Sequence, residues 1–204
     1  MAAKKKLYKK RKTKKQSPLI IILIPIAIMV LYFWANNQNE KLKPSKTSDL
    51  EIPAVYIPIY KAAEHKYGVP WYVLAAHHRV ETRFSTMKTM VSPVGAEGPM
   101  QIMPCTFVGW KHPTCSGLGK GNIPKKDKEN PAIIQKYGGY GVDADGDGIA
   151  DPFNIYDAVF SAANYLAQNG ASSGHLRKAI YSYNHSNEYV KEVLHYVKEY
   201  KQEF

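Results

Sequence analysis

Apolar positions follow three regimes along this 204-residue chain. From Ser17 to Asn36 they run unbroken, SPLIIILIPIAIMVLYFWAN, with no charge. From Asn36 to Pro53 (NNQNEKLKPSKTSDLEIP) the apolar period is lost and the composition is that of a polar tether. Beyond about Ala54 the apolar residues recur at helical spacing. Pro58 to Tyr67 reads as a helix ended by Gly68, and Trp71 to Phe84 as a second that starts after Pro70. Ser92 to Gly98 is small and glycine-rich, hence a turn, and 98–109 has room for a short helix. His112 to Gly141 is rich in Gly, Pro and Lys and is predicted as mostly loop. Asp157 to Gln168, Leu176 to Tyr183 and Glu188 to Gln202 complete the helices. β-branched alternation is nearly absent, so the body is predicted to be mainly α-helical.

Charge changes the picture of the N-terminus. Of the net charge of +11, nine units come from Lys4, Lys5, Lys6, Lys9, Lys10, Arg11, Lys12, Lys14 and Lys15, leaving +2 for everything after. A basic arm followed at once by an uncharged apolar run long enough for one bilayer crossing predicts a signal anchor. The aromatics Tyr32 and Trp34 fall at its outer edge. The positive-inside rule puts the arm in the cytoplasm and the body outside the cell membrane, and no small-x-small cleavage site ends the run. Beside a membrane span, nucleic-acid binding is the weaker reason for the lysines. The predicted organisation is a basic arm at 1–16, a transmembrane span at 17–35, a linker at 36–53 and one domain at 54–204. Cys105 and Cys115 fit either an extracytoplasmic disulfide or two buried thiols.

Candidate chemistry begins at Glu81, in WYVLAAHHRVETRF. On a helical wheel with Trp71 at zero, Glu81 falls at about 280°, between Phe84 at about 220° and Leu74 at about 300°. An acid on the apolar arc is desolvated, and its pKa rises. Two readings stay open on the helix alone. Glu81 is a proton donor for a glycosidic oxygen, or it is an ion-pair partner of Arg79, Arg83 or a nearby His.

Further motifs bear on that choice. ETRF, SPVGAEGPMQIMP and YSYNHS resemble, in order, three motifs of the lysozyme-like lytic transglycosylases: a catalytic Glu before Ser-x-Phe, a Gly-Ala-x-Gly-Leu-Met-Gln-x-Met-Pro turn and helix, and an Ala-Tyr-Asn-Ala-Gly segment. The resemblance spans about Tyr60 to Tyr196. The chain departs from the pattern at Thr82 for Ser, Pro99 for Leu, Ser182 for Ala and His185-Ser186 for Ala-Gly. It implies a lysozyme-like α-helical domain with Glu81 as general acid and base and Tyr183 as the tyrosine whose hydroxyl lies near it. Ser92, Met100, Gln101 and Asn184 are implied to contact the sugars. The implied substrate is peptidoglycan, cut between N-acetylmuramic acid and N-acetylglucosamine. One Glu first protonates the leaving oxygen and then accepts the C6 hydroxyl proton, closing a 1,6-anhydro ring. A muramidase that hydrolyses the same bond, or a non-catalytic wall-binding protein on the same fold, are the alternatives. Glu97, the one other acid near these motifs, is expected to be a solvated turn residue rather than a second carboxylate. Trp110, Tyr137, Tyr140 and Tyr165 could stack on sugars, and no pattern selects among them.

A second signature is DADGDGIADPFN, Asp143 to Asn154, which matches the start of an EF-hand calcium loop. Asp143, Asp145, Asp147, Ile149 through its carbonyl, and Asp151 are the expected Ca2+ ligands, in a structural role. Asn154 stands where a bidentate Glu is usual, with Asp157 as the candidate substitute; a solvated Asp-Gly turn capping the next helix is the plainer alternative. Some membrane-associated lytic transglycosylases carry a similar loop before a similar D-A-x-x-S-x-A-N-Y helix.

Overall fold

The computed structural model describes residues 51–203. The predicted basic arm, the predicted membrane span and nearly all of the linker lie outside the described residues. Among those described, no helix is long and apolar enough to cross a membrane.

Eight α-helices are described: α1 (Ile57–Tyr67), α2 (Trp71–Thr82), α3 (Pro104–Val108), α4 (Lys125–Lys128), α5 (Pro131–Tyr137), α6 (Ile155–Gln168), α7 (Leu176–Asn184) and α8 (Asn187–Glu203). A single 3-10 turn, Ala171–Ser173, lies between α6 and α7. Strand pairing among the described residues is confined to two isolated antiparallel bridges, Val91 with Glu97 and Glu97 with Ile102. The mainly α expectation therefore holds.

Local chemistry sets the helix ends. Gly68 takes the left-handed conformation after α1, where its amide donates to the Glu64 carbonyl at 2.7 Å. Pro70 precedes the first turn of α2, where a missing N–H leaves no helical bond unmade. Two short helices, α4 and α5, lie inside the segment predicted as loop. The Asn130 side chain caps α5 by accepting from the amides of Ala132 and Ile133, Pro131 opens it and left-handed Gly138 closes it. That start and stop signal is legible, but seven residues are too few for a helical period to stand out.

The core is built around α2. Val73, Leu74, Ala75, Ala76, His77 and His78 are all fully buried, so α2 is enclosed on most sides. It packs against α8, α1 and α6, while α7 packs against α8. Tyr60, Met100, Phe107, Leu166, Ile180 and Tyr200 fill the remaining interior. Ile52 belongs to the same core at 5% exposure, so the packed body starts before the expected boundary at Ala54. Cys105 and Cys115 form a disulfide, which resolves the alternative left open by their spacing.

Candidate active site

The cleft is made where α2 stops. Arg83, Phe84 and Ser85 all have positive φ (51°, 57° and 63°), a conformation that disfavours residues carrying a Cβ. Specific bonds hold it. The Thr82 hydroxyl donates to the Pro99 carbonyl at 2.7 Å and accepts from the Ser85 amide at 3.2 Å. His78 Nε2 bonds the Ser85 hydroxyl at 2.8 Å. The hydroxyl that Thr82 keeps in place of the usual Ser thus ties the end of the acid-bearing helix to the turn opposite it.

That turn, 90–102, is closed by Gly98. Its amide donates to the Met90 carbonyl at 2.8 Å, and its φ is +76°. A Cβ there would lie 1.7 Å from the Pro152 carbonyl oxygen, so only glycine lets the turn press onto the acidic loop. Gln101 follows with φ +50°, and its Nε2 donates to the carbonyls of Gly98 (2.8 Å) and Met90 (3.1 Å). Both amide protons are used, which leaves its oxygen as an acceptor for a ligand. Ser92 Oγ accepts from the Ala96 amide at 2.9 Å and retains its own proton to donate.

Glu81, Ser92, Gln101, Tyr183 and Asn184 line one cleft of about 410 Å³, together with Met103, Leu118 and His185. Five of the six residues expected at the site are thereby brought together. Met100 is the exception. Its side chain is fully buried, and it contributes its carbonyl, which accepts from the Tyr183 hydroxyl at 2.7 Å. Tyr183 lines the cleft as expected, close enough for the Glu81 charge to act on its hydroxyl. The hydrogen bond of that hydroxyl goes to Met100 and not to Glu81.

The hydroxyl on Glu81 is that of Tyr189, which donates to Oε1 at 2.5 Å. Tyr189 lies on α8, its ring stacked parallel to Tyr183 at 6.4 Å between centroids and its side chain buried. Sequence reasoning missed it, because a tyrosine on the apolar face of an amphipathic helix reads as core. The Tyr183 and Tyr189 phenols are both pushed well above their usual pKa of 10, by burial first and by the charge of Glu81 next. Both are therefore neutral donors at physiological pH.

Burial raises Glu81 from 4.5 to about 7; the Tyr189 hydrogen bond opposes that rise, and the charge of Glu192 adds to it. The basic neighbours in sequence do not hold it ionised. His77 and His78 are fully buried, and desolvation lowers them to about 4 and about 3, so both are neutral. His77 Nδ1 bonds the Val73 carbonyl and His78 Nδ1 bonds the Tyr60 hydroxyl. Arg79 lies over the Tyr196 ring at 4.6 Å, and Arg83 is exposed. An acid poised near neutrality can give a proton to a leaving oxygen and take one back in the next step.

Glu97 is not the solvated turn residue expected. Both its oxygens accept from Lys128 Nζ at 2.7 Å, and each side chain of this pair is 15% exposed. It lies outside the Glu81 cleft, and among the described residues Glu81 is the one carboxylate lining that cleft.

The acidic loop brings together a different set of carboxylates from the one its spacing suggests. Carboxylate oxygens of Asp143, Asp145 and Asp157 lie within 4.8 Å of one another. Asp147 and Asp151 are outside that group; their carboxylates accept from the amides of Ile149 and Phe153, as short Asp side chains do in turns. Ile149 supplies that amide, and its side chain is exposed. Asn154 caps α6 through the Tyr156 amide and donates to Asp145 at 2.7 Å. Asp157 is fully buried and accepts from the amides of Ala144 (2.7 Å) and Asp151 (2.8 Å). Burial raises its pKa, the two amide bonds oppose that rise, and the charges of Asp145 and Asp143 add to it. Three hard oxygen donors crowded in this way suit a calcium ion, which would relieve their mutual repulsion.

The family described as "Transglycosylase SLT domain" matches residues 133–177 of this chain. The segment resembles a transglycosylase domain. It runs from α5 through the acidic loop and α6 to the start of α7, and excludes Glu81. The "L-Ala--D-Glu endopeptidase" of Bacillus subtilis (strain 168) is 23% identical over 180 residues, covering 88% of this chain and 50% of that protein. The chain thus spans about half the length of this curated relative. No solved structure matches.

Proposed function

We propose that this chain is a peptidoglycan lytic transglycosylase acting with a single catalytic acid. The observation that carries the reading is Glu81, the one carboxylate of its cleft among the described residues, desolvated to a pKa of about 7 and held by the Tyr189 hydroxyl. Glu81 protonates the oxygen between N-acetylmuramic acid and N-acetylglucosamine as that bond breaks. The Glu81 carboxylate then accepts the C6 hydroxyl proton of the same muramic acid as its oxygen closes on C1, giving a 1,6-anhydro end. Water is not consumed. The second carboxylate that ordinary glycosidases use has no counterpart in the cleft, since Glu97 is engaged by Lys128. The transglycosylase family match at 133–177 supports the substrate class.

In this reading residues 1–16 stay in the cytoplasm, 17–35 anchor the chain in the cell membrane, and the catalytic body faces the wall. Asp143, Asp145 and Asp157 hold a structural Ca2+, which steadies the loop that Gly98 packs against.

The test is digestion of purified peptidoglycan, with products read by mass spectrometry. Anhydro-muropeptides that vanish with Glu81→Gln are the expected result. Reducing muramic ends would make the enzyme a hydrolase. Cleaved stem peptides with intact glycan would move it to the peptide chemistry named for the Bacillus subtilis relative.

A further inference from the structure

Beyond the Glu81 cleft the groove continues into a second recess of about 170 Å³, and the two share Gln101, Met103, Leu118, Tyr183 and His185. Trp110 lines only the second. It is 51% exposed, and its indole has no ring partner among the described residues. Leu118, 78% exposed, lines the same recess, so the indole belongs to an open apolar patch rather than standing alone.

The indole is nevertheless held in place. Gly119 lies beneath it, where a Cβ would approach Cζ2 and Cη2 at 3.0 and 3.1 Å. The Gly119 carbonyl accepts from the Cys105 amide at 2.9 Å, and Cys105 is bonded to Cys115 across the loop that carries Trp110. The residue before Trp110, Gly109, presses backbone to backbone on the end of α5, where a Cβ would come within 2.2 Å of the Tyr137 carbonyl oxygen. Below the loop, buried His112 packs edge-on against Tyr137 at 4.8 Å. An exposed side chain backed by Gly119, on a loop closed by a disulfide, loses little freedom when a ligand settles on it.

We infer that Trp110 is a stacking platform for a pyranose ring of the same glycan strand whose scissile bond lies at Glu81. The apolar C–H face of a sugar matches an indole, and the continuity of the two recesses makes the occupant the next portion of that strand. The inference rests on the glycan-cleaving reading above. Tyr165, in the same recess, is less suited, because its hydroxyl is engaged by the Ser182 carbonyl at 2.7 Å and its ring by Tyr140 and Tyr183. Tyr137 is covered by His112.

The experiment uses the full-length chain and an alternating tetrasaccharide of N-acetylglucosamine and N-acetylmuramic acid. In the Glu81→Gln protein, binding is read by tryptophan fluorescence and by calorimetry. Trp110→Ala in that background is expected to weaken binding about tenfold, and Trp110→Phe by less. The emission change should disappear in both, while Trp71→Phe retains it. With Glu81 present, Trp110→Ala should raise KM on glycan strands about tenfold and change kcat little. Unchanged KM and affinity in an enzyme that cleaves glycan would overturn this inference and leave the proposed function standing. A parent chain that neither binds the tetrasaccharide nor cleaves glycan would overturn both.

Discussion

Glu81 and Asp157 are both acids withdrawn from water, and their surroundings differ in kind. Asp157 accepts from two backbone amides and shares its site with two further carboxylates. Glu81 has one hydroxyl, from Tyr189, and opens on a cleft. Asp157 organises the chain around it, since the amides it binds belong to the loop that leads into α6. Glu81 organises nothing locally, and its unsatisfied capacity faces the place a substrate would take. Burial alone therefore does not single out a candidate catalytic acid. Burial with too few fixed donors, beside open space, is what sets Glu81 apart.

Substitutions should separate the two. Glu81→Gln is expected to reduce glycan cleavage by about 10³-fold, the upper range for loss of general acid–base catalysis, measured by release of soluble muropeptides. The same variant should gain stability over the parent as pH rises. Glu81 has a folded-state pKa above its unfolded value, so its contribution is full below about pH 4.5 and is lost as pH rises through about 7. Gln cannot ionise, so Tm should exceed that of the parent at pH 8 and match it near pH 4.

Asp157→Ala should do the reverse. It leaves two backbone donors unmet and is expected to destabilise by about 3 kcal/mol, read by denaturant unfolding. Added Ca2+ should raise Tm in the parent and not in this variant. A parent indifferent to Ca2+ would mean that hydrogen bonds and packing hold the loop without an ion.

Lys128→Met tests a third kind of acid, one fully paired. Leaving Glu97 without its cation in a site this enclosed should cost about 2–3 kcal/mol, with cleavage retained below the lowered Tm. Loss of cleavage without loss of stability would bring Glu97 into the chemistry. The smallest effect is expected from Tyr189→Phe, about tenfold in kcat, or roughly 1.4 kcal/mol. Removing a hydrogen bond that lowers the Glu81 pKa should also move the basic limb of the rate profile to higher pH.

Much of this arrangement is legible in the order of residues alone. Periodicity finds the long helices, and the wheel puts Glu81 on the apolar arc. The motif resemblance gathers Ser92, Gln101, Tyr183 and Asn184, which the fold places in one cleft with it. What escapes is long-range. Tyr189 is 108 residues from Glu81, and nothing in its helical face distinguishes a core tyrosine from one that holds an acid. The calcium-loop spacing names Asp147 and Asp151 by position, yet each binds an amide two residues on, while Asp157, the candidate substitute, is the one brought beside Asp143 and Asp145. The partner of Glu97 is likewise far away in sequence, at Lys128. Local pattern specifies helices and turns; which hydroxyl or cation meets which acid is decided by packing.

The central claim, an acid kept near neutrality by desolvation, is tested most directly by titrating the Glu81 carboxyl carbon with 13C NMR, assigned by its loss in Glu81→Gln. The predicted result is a midpoint near pH 7 that rises in Tyr189→Phe. A midpoint at the ordinary 4.5, unmoved by Tyr189→Phe, would contradict it.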